Sequence, residues 1–266
     1  MNRNLKQKQH KQSLLLDTSV QIDKFNPGSI DAALRKLSAN YDLYTSYFVK
    51  YEFKTGFIRS LIAFYSRVNI DGPIKATAKW GKSFHPRDLK YKAIMDCIIA
   101  QCDKTIYIGD KKKYLAQIEM VIFHLMNNFM TELTGIVGDF SDDEVIDYEI
   151  LTSSDFAEFE KKINDRKCIP QAGFWEKHKI ELVLLIKDKT VQTSKDFESV
   201  NKYLREISED FKKSDKYFHN KGVGDVIIAI DSPKTHKLVS LDSAFQTYCK
   251  VLKKELITLS SSYFAH

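Results

Sequence analysis

The 266-residue sequence predicts an α/β protein with a mostly helical middle, and three observations lead there. Short apolar runs that end in a carboxylate alternate with helical patterns near both ends of the chain. Between about residues 70 and 215 the apolar positions follow helical spacing. Ten glycines and five prolines are too few for the many hairpins of an all-β sandwich.

In chain order, Ser13–Asp17 reads as a buried strand, Leu14-Leu15-Leu16, closed by a carboxylate. Asn26-Pro27-Gly28-Ser29 is a turn and helix start, and Ile30 to Leu37 has helical spacing with Asn40 as terminator. Asp42–Thr45 is a second strand. Ser46 caps the next helix, which runs through Tyr47, Val49, Phe53, Phe57, Leu61 and Phe64. Gly72-Pro73 and Gly81 break the pattern, and helices resume over Pro86–Asp103 and Asp110–Leu133. The second of these buries Leu115, Ile118, Val121, Ile122, Leu125 and Phe129, with His124 as a core histidine. Helical patterns follow at Phe156–Ile163, from Pro170 through Leu184, and over Lys195–Phe211 behind the cap Ser194. The alternation then returns. A polar loop, His219–Gly224, leads to a short helix, Asp225–Ile230. A strand, Lys237–Leu241, ends at Asp242, and a helix, Ser243–Lys253, leads to a last strand, Leu256–Leu259.

Composition narrows the class. Hydrophobic residues make up 43% of the chain, enough to bury a core and to exclude whole-chain disorder. The balance of 41 Lys+Arg against 35 Asp+Glu gives +6, spread unevenly. Residues 73–113 hold ten basic and four acidic side chains, whereas 139–165 hold ten acidic and two basic ones. The first stretch suits a solvated helix face or a phosphate backbone. Cys97, Cys102, Cys168 and Cys249 form no CxxC pair, which predicts free thiols rather than a zinc site or disulfide framework. The basic N-terminus (Arg3, Lys6, Lys8, Lys11) is followed by only three leucines before Asp17, too short an apolar run for a signal peptide. No window approaches a membrane span. The expectation is a soluble, cytoplasmic protein that makes no use of a membrane.

The positions that suggest chemistry are acids at the ends of short apolar elements. Asp17 and Asp242 close strands, and in an open parallel sheet the carboxyl ends of strands line one crevice. Asp225 opens a helix, where a carboxylate suits the positive dipole end. Glu52 stands between Tyr51 and Phe53, a costly place for a buried unpaired charge. Four converging carboxylates repel one another unless a hard cation joins them, and oxygen-only ligands favour Mg²⁺ or Mn²⁺ over zinc. Two rival motifs fail on the residues. A haloacid-dehalogenase-type phosphatase needs Asp at position 19, which is Ser; an Asp-x-Ser-x-Ser adhesion site needs Ser at position 21, which is Gln.

Leu14-Leu15-Leu16-Asp17-Thr18-Ser19-Val20, Thr45-Ser46-Tyr47-Phe48-Val49-Lys50-Tyr51-Glu52, Gly224-Asp225-Val226-Ile227-Ile228-Ala229 and Leu238-Val239-Ser240-Leu241-Asp242-Ser243-Ala244-Phe245 resemble the successive signatures of PIN-domain nucleases. In the last of them Ser240 replaces the usual Thr. The resemblance covers about residues 13–68 and 217–260. It implies a PIN-like fold over 13–266, a central mostly parallel sheet flanked by helices, behind a basic tail at 1–12. Compact members keep the second and third acidic motifs much closer than the 173 positions that separate Glu52 from Asp225. A large helical insertion at about 70–215 is therefore expected.

The same resemblance implies a metal-dependent endoribonuclease, a phosphodiester hydrolase of the toxin or defence type. Asp17, Glu52, Asp225 and Asp242 are its expected catalytic residues and ligands for Mg²⁺ or Mn²⁺. Thr18, Ser19 and Ser240 are expected to orient the carboxylates or touch phosphate. Lys111, Lys112, Lys113, His219 and Lys221 are candidates for binding nucleic acid, RNA in preference to DNA. The alternatives are a PIN-like protein acting mainly through a partner, as a toxin held by an antitoxin or as an assembly subunit or homo-oligomer, and a DNA nuclease.

Overall fold

A computed structural model describes residues 11–25, 31–83, 110–139, 148–165, 172–214 and 222–259. The strands are β1 (Gln12–Leu16), β2 (Tyr41–Ser46), β3 (Gly135–Val137), β4 (His236–Ser240) and β5 (Leu256–Thr258). All four neighbouring pairs run parallel, in the order β3-β2-β1-β4-β5. A parallel sheet needs cover on both faces, and the continuous apolar run at the end of β1 supplies it. Leu14 and Leu16 point to one side with Leu43 and Val239, into a small core closed by Val20, Leu34 and Leu259. Leu15 points to the other side with Leu238, into a much larger core that includes Phe48, Phe57, Trp175, Val226 and Phe245.

The helices that cover these faces are α1 (Thr18–Asp23), α2 (Asp31–Asn40), α3 (Tyr47–Glu52), α4 (Arg59–Asp71), α5 (Pro73–Ser83), α6 (Lys111–Asn128), α7 (Asp155–Asp165), α8 (Ala172–Lys177), α9 (Lys179–Lys187), α10 (Lys189–Thr193), α11 (Glu198–Glu209), α12 (Val223–Asp231) and α13 (Ala244–Leu252). Local chemistry sets several of their starts. The side chains of Asp17, Ser46, Asp110 and Asp188 accept hydrogen bonds from backbone amides in the first turns of α1, α3, α6 and α10. Between α3 and α4 the chain widens into a π-helix, Phe53–Ile58.

The structure departs from the sequence-based expectation at definite points. The segment expected to be helical contributes a strand, β3, which pairs Gly135, Ile136 and Val137 with Tyr44, Thr45 and Ser46. Helix α6 stops at Asn128 rather than at Leu133. Glu132 adopts φ 71°, and the Thr134 amide donates to the Leu43 carbonyl at 2.6 Å, which leads the chain onto the sheet edge. His124 is exposed, bonded to the Asn128 side-chain amide at 3.1 Å, and is not a core residue. Ser194 caps a 3-10 turn, Lys195–Phe197, ahead of α11. The expected helix over Pro86–Asp103, the start at Pro170, His219, Lys221, three of the four cysteines and most of the basic tail lie outside the described residues. Among the described residues no helix is long and apolar enough to cross a membrane.

Candidate active site

The strand order sets the location. From β1 the chain moves outward to β2 and then β3, and crosses back over β1 to reach β4 and β5. The order therefore reverses between β1 and β4, and crevices at the carboxyl ends of such adjacent strands are where open α/β sheets bind ligands. Asp17 is the first residue beyond β1, and its amide donates to the Val239 carbonyl of β4 at 3.1 Å.

Asp17 is only 3% exposed, and its carboxylate is held from three sides. The Val20 amide donates to Oδ1 at 2.9 Å as the helix cap. The Ser19 hydroxyl lies at 2.8 and 2.9 Å from Oδ1 and Oδ2. The Ser240 hydroxyl, from the last position of β4, donates to Oδ2 at 2.6 Å. Burial above all, with a smaller contribution from the nearby Asp242 charge, raises the pKa to about 6 against the pull of those three donors. Three donors with one hydrogen each occupy three of the about four acceptor positions of a carboxylate, which leaves room for one more electrophile.

The other three acids are tied to this centre through intermediaries. Ser240 Oγ accepts from the Asp242 amide at 2.9 Å, while Asp242 Oδ1 accepts from the Ala244 amide at 2.8 Å. Asp242 is thus exposed in the turn two residues past β4, rather than at the strand end itself. Glu52 ends α3 immediately before the π-helix, and Thr18 donates to its Oε2 at 2.6 Å. Extra-wide helical turns of this kind recur at functional sites. The other oxygen, Oε1, lies over Gly224, where a Cβ would come within 2.2 Å of it. Glycine in a helix costs about 1 kcal/mol against alanine, and here it makes room for a carboxylate. Asp225 follows, in the first turn of α12 rather than at its opening, since the helix begins at Val223. Asp225 and Asp242 both act on the buried Tyr248 of α13.

Ser240 thus joins Asp17 to Asp242, Thr18, the residue after Asp17, bonds Glu52, and Glu52 lies over Gly224, the neighbour of Asp225. The four acids are not a finished coordination shell: among the described residues no three His, Cys, Asp or Glu side chains form a group that could hold a metal ion as they stand. The donor chemistry, carboxylate oxygen throughout, fits a hard cation. No known family model, curated protein or solved structure matches the chain.

Lys111, Lys112 and Lys113 are exposed at the start of α6, where Lys113 lies 3.6 Å from the capping residue Asp110. His219 and Lys221 fall outside the described residues. Sequence reasoning misses Gly224 and Tyr248. The signal for the first is a glycine beside an acid within a helical pattern; the second carries no signal, since an aromatic at a helix-core position reads as packing.

Proposed function

We propose that this chain is a metal-dependent nuclease of PIN-like fold, an endoribonuclease with Asp17, Glu52, Asp225 and Asp242 as its acidic residues. The observation that carries the reading is a buried, hydroxyl-clamped Asp17 at the sheet's reversal point, joined to Asp242 through Ser240, with Glu52 bonded by the adjacent Thr18. Among the described residues the influences on Asp17 are hydroxyls, a backbone amide and another acid, with no cationic side chain among them. A buried carboxylate with that surrounding is stabilised by a divalent cation.

Mg²⁺ or Mn²⁺ bound there supplies Lewis acidity and lowers the pKa of a water molecule at neutral pH. The chain's own groups have separate tasks. Ser19, Ser240 and the Val20 amide fix the Asp17 carboxylate so that its remaining lone pair is aimed, and Thr18 does the same for one oxygen of Glu52. Asp225 lies in the first turn of α12, at the positive end of the helix dipole, where a carboxylate is suited. Asp242, exposed at the rim, is held in the turn by the Ala244 amide.

The test is purified protein incubated with end-labelled RNA and DNA of the same sequence, in Mg²⁺, Mn²⁺ or EDTA. Internal cuts in RNA that need metal support the proposal. Cuts in DNA alone move it to the DNA nuclease alternative. No cut in either, in any metal, refutes it and leaves partner binding as the role of the crevice.

A further inference from the structure

Leu241 is the first residue beyond β4, beside the point at which the strand order reverses. Its backbone amide donates to the Ser19 hydroxyl at 3.3 Å, and that same hydroxyl donates to the Asp17 carboxylate at 2.8 Å. A single hydroxyl thus separates the Leu241 main chain from the buried acid. The residues on either side are pinned as well. The Ser240 carbonyl accepts from the Leu259 amide at 3.0 Å, and the Ser240 hydroxyl donates to Asp17 at 2.6 Å and accepts from the Asp242 amide at 2.9 Å. Asp242 in turn accepts from the Ala244 amide at 2.8 Å. The turn is fixed residue by residue, yet the leucine on it is 36% exposed and joins neither apolar core of the described residues. Single exposed leucines are ordinary on a protein surface, but this one interrupts a polar run, Ser240, Asp242 and Ser243, at the mouth of the crevice.

An apolar side chain on a rigid turn beside a carboxylate site offers nothing to a phosphate or a cation; it suits an apolar surface. In a nucleic acid that surface is the face of a base. We propose that Leu241 packs against the base of the nucleotide at the scissile phosphate and so selects unpaired RNA, an inference that rests on the nuclease reading above. Leucine is among the side chains that proteins press between base steps, partly unstacking them. Proteins read RNA chiefly where its bases are unstacked and splayed, in single strands, loops and bulges. A base stacked between two neighbours in a duplex presents no face to Leu241, whereas one in a single strand does. The contact is apolar and non-directional, so it favours unpaired nucleotides without choosing strongly among the four bases. A turn fixed beforehand also reduces the ordering that docking requires.

The test compares wild type with Leu241→Ala and Leu241→Phe in steady-state cleavage with Mn²⁺ and in thermal melting. The substrates are an end-labelled single-stranded RNA, the same strand annealed to its complement, and the single strand with an abasic residue at the mapped cut. Wild type is expected to prefer the single strand to the duplex by at least about tenfold. Leu241→Ala loses about fivefold to tenfold in kcat/KM on the single strand, the low end of what a stacked side chain contributes per base. Leu241→Phe, with a larger flat face, keeps or exceeds wild-type activity. The abasic residue slows wild type by a similar factor and Leu241→Ala hardly at all, because both changes remove one contact. The melting temperature of Leu241→Ala is unchanged, since the side chain joins neither core. Any of three results overturns the inference and leaves the nuclease reading standing: Leu241→Ala cutting the single strand like wild type, alanine and abasic losses that multiply, or wild type cutting duplex equally well. A wild type that cuts no RNA in any form overturns both.

Discussion

Replacing Asp17 by asparagine separates a metal-binding carboxylate from a structural one, because the structure gives the two cases opposite signs. Burial carries the Asp17 pKa from 3.8 to about 6. Each tenfold change in proton affinity is about 1.4 kcal/mol, so the ionised group costs the metal-free fold roughly 3 kcal/mol near pH 8. The sign follows from the raised pKa. The contribution to stability is fully present below pH 3.8, where the group is neutral in both states, and is lost as pH rises through about 6. The neutral amide of the Asp17→Asn variant has no such cost, but its nitrogen faces hydroxyls that had donated to a carboxylate. Re-aiming Ser19 and Ser240 forfeits one or two hydrogen bonds, about 1–2 kcal/mol. The balance at pH 8 in EDTA is a variant more stable by about 1–2 kcal/mol, a rise in melting temperature of roughly 2–8 °C for a chain of this size. At pH 4 the ordering reverses, because wild type has shed most of its penalty and the lost hydrogen bonds remain. Mn²⁺ at a hundredfold above its Kd adds about 2.7 kcal/mol to wild type and nothing to the variant, which no longer cuts RNA. Melting curves at both pH values, with Mn²⁺ or EDTA, read all of this. A variant that is less stable at both pH values, still gains from Mn²⁺ and still cuts refutes the reasoning.

Three further outcomes are expected. Gly224→Ala puts a methyl group where Glu52 Oε1 now lies and 3.3 Å from the buried Phe48 ring; the carboxylate must shift, so cleavage falls at least about tenfold, while the crowding against Phe48 offsets the roughly 1 kcal/mol that alanine gives a helix and the melting temperature does not rise. Gly138→Ala combines a φ of +109° with a Cβ 2.2 Å from Asp231 Oδ2, and calorimetry should show a loss of roughly 2 kcal/mol or more. Reversing Lys111, Lys112 and Lys113 to Glu should flatten the slope of log K against log salt for RNA by up to about three if the triplet contacts phosphates; an unchanged slope shows a solvated helix start.

Much of the frame is legible in the residues because it depends on local rules. Three leucines followed by Asp17 specify both the strand and the helix cap that ends it, and Ser46 declares itself as a cap by residue type. The bond from Ser240 to Asp17 is not legible, since 223 positions separate the two, yet their strand-end placement is. β3 escapes notice because three residues, Gly-Ile-Val, carry no period; only pairing with β2 makes them a strand. His124 reads as core because its neighbours at 121, 122 and 125 are buried, but a helix turns a residue to solvent between them. Asp225 reads as the opening of its helix since Val223-Gly224 resembles loop until Glu52 is known to lie over the glycine.

The two outermost strands, β3 and β5, are three residues long each. Long, open margins invite other chains to add on in register, and natural sheets shorten them to prevent it. Among the described residues, a neighbour docking along either margin would find backbone partners on only three strand residues. Sheet-to-sheet polymerisation is thereby discouraged at both ends of the layer.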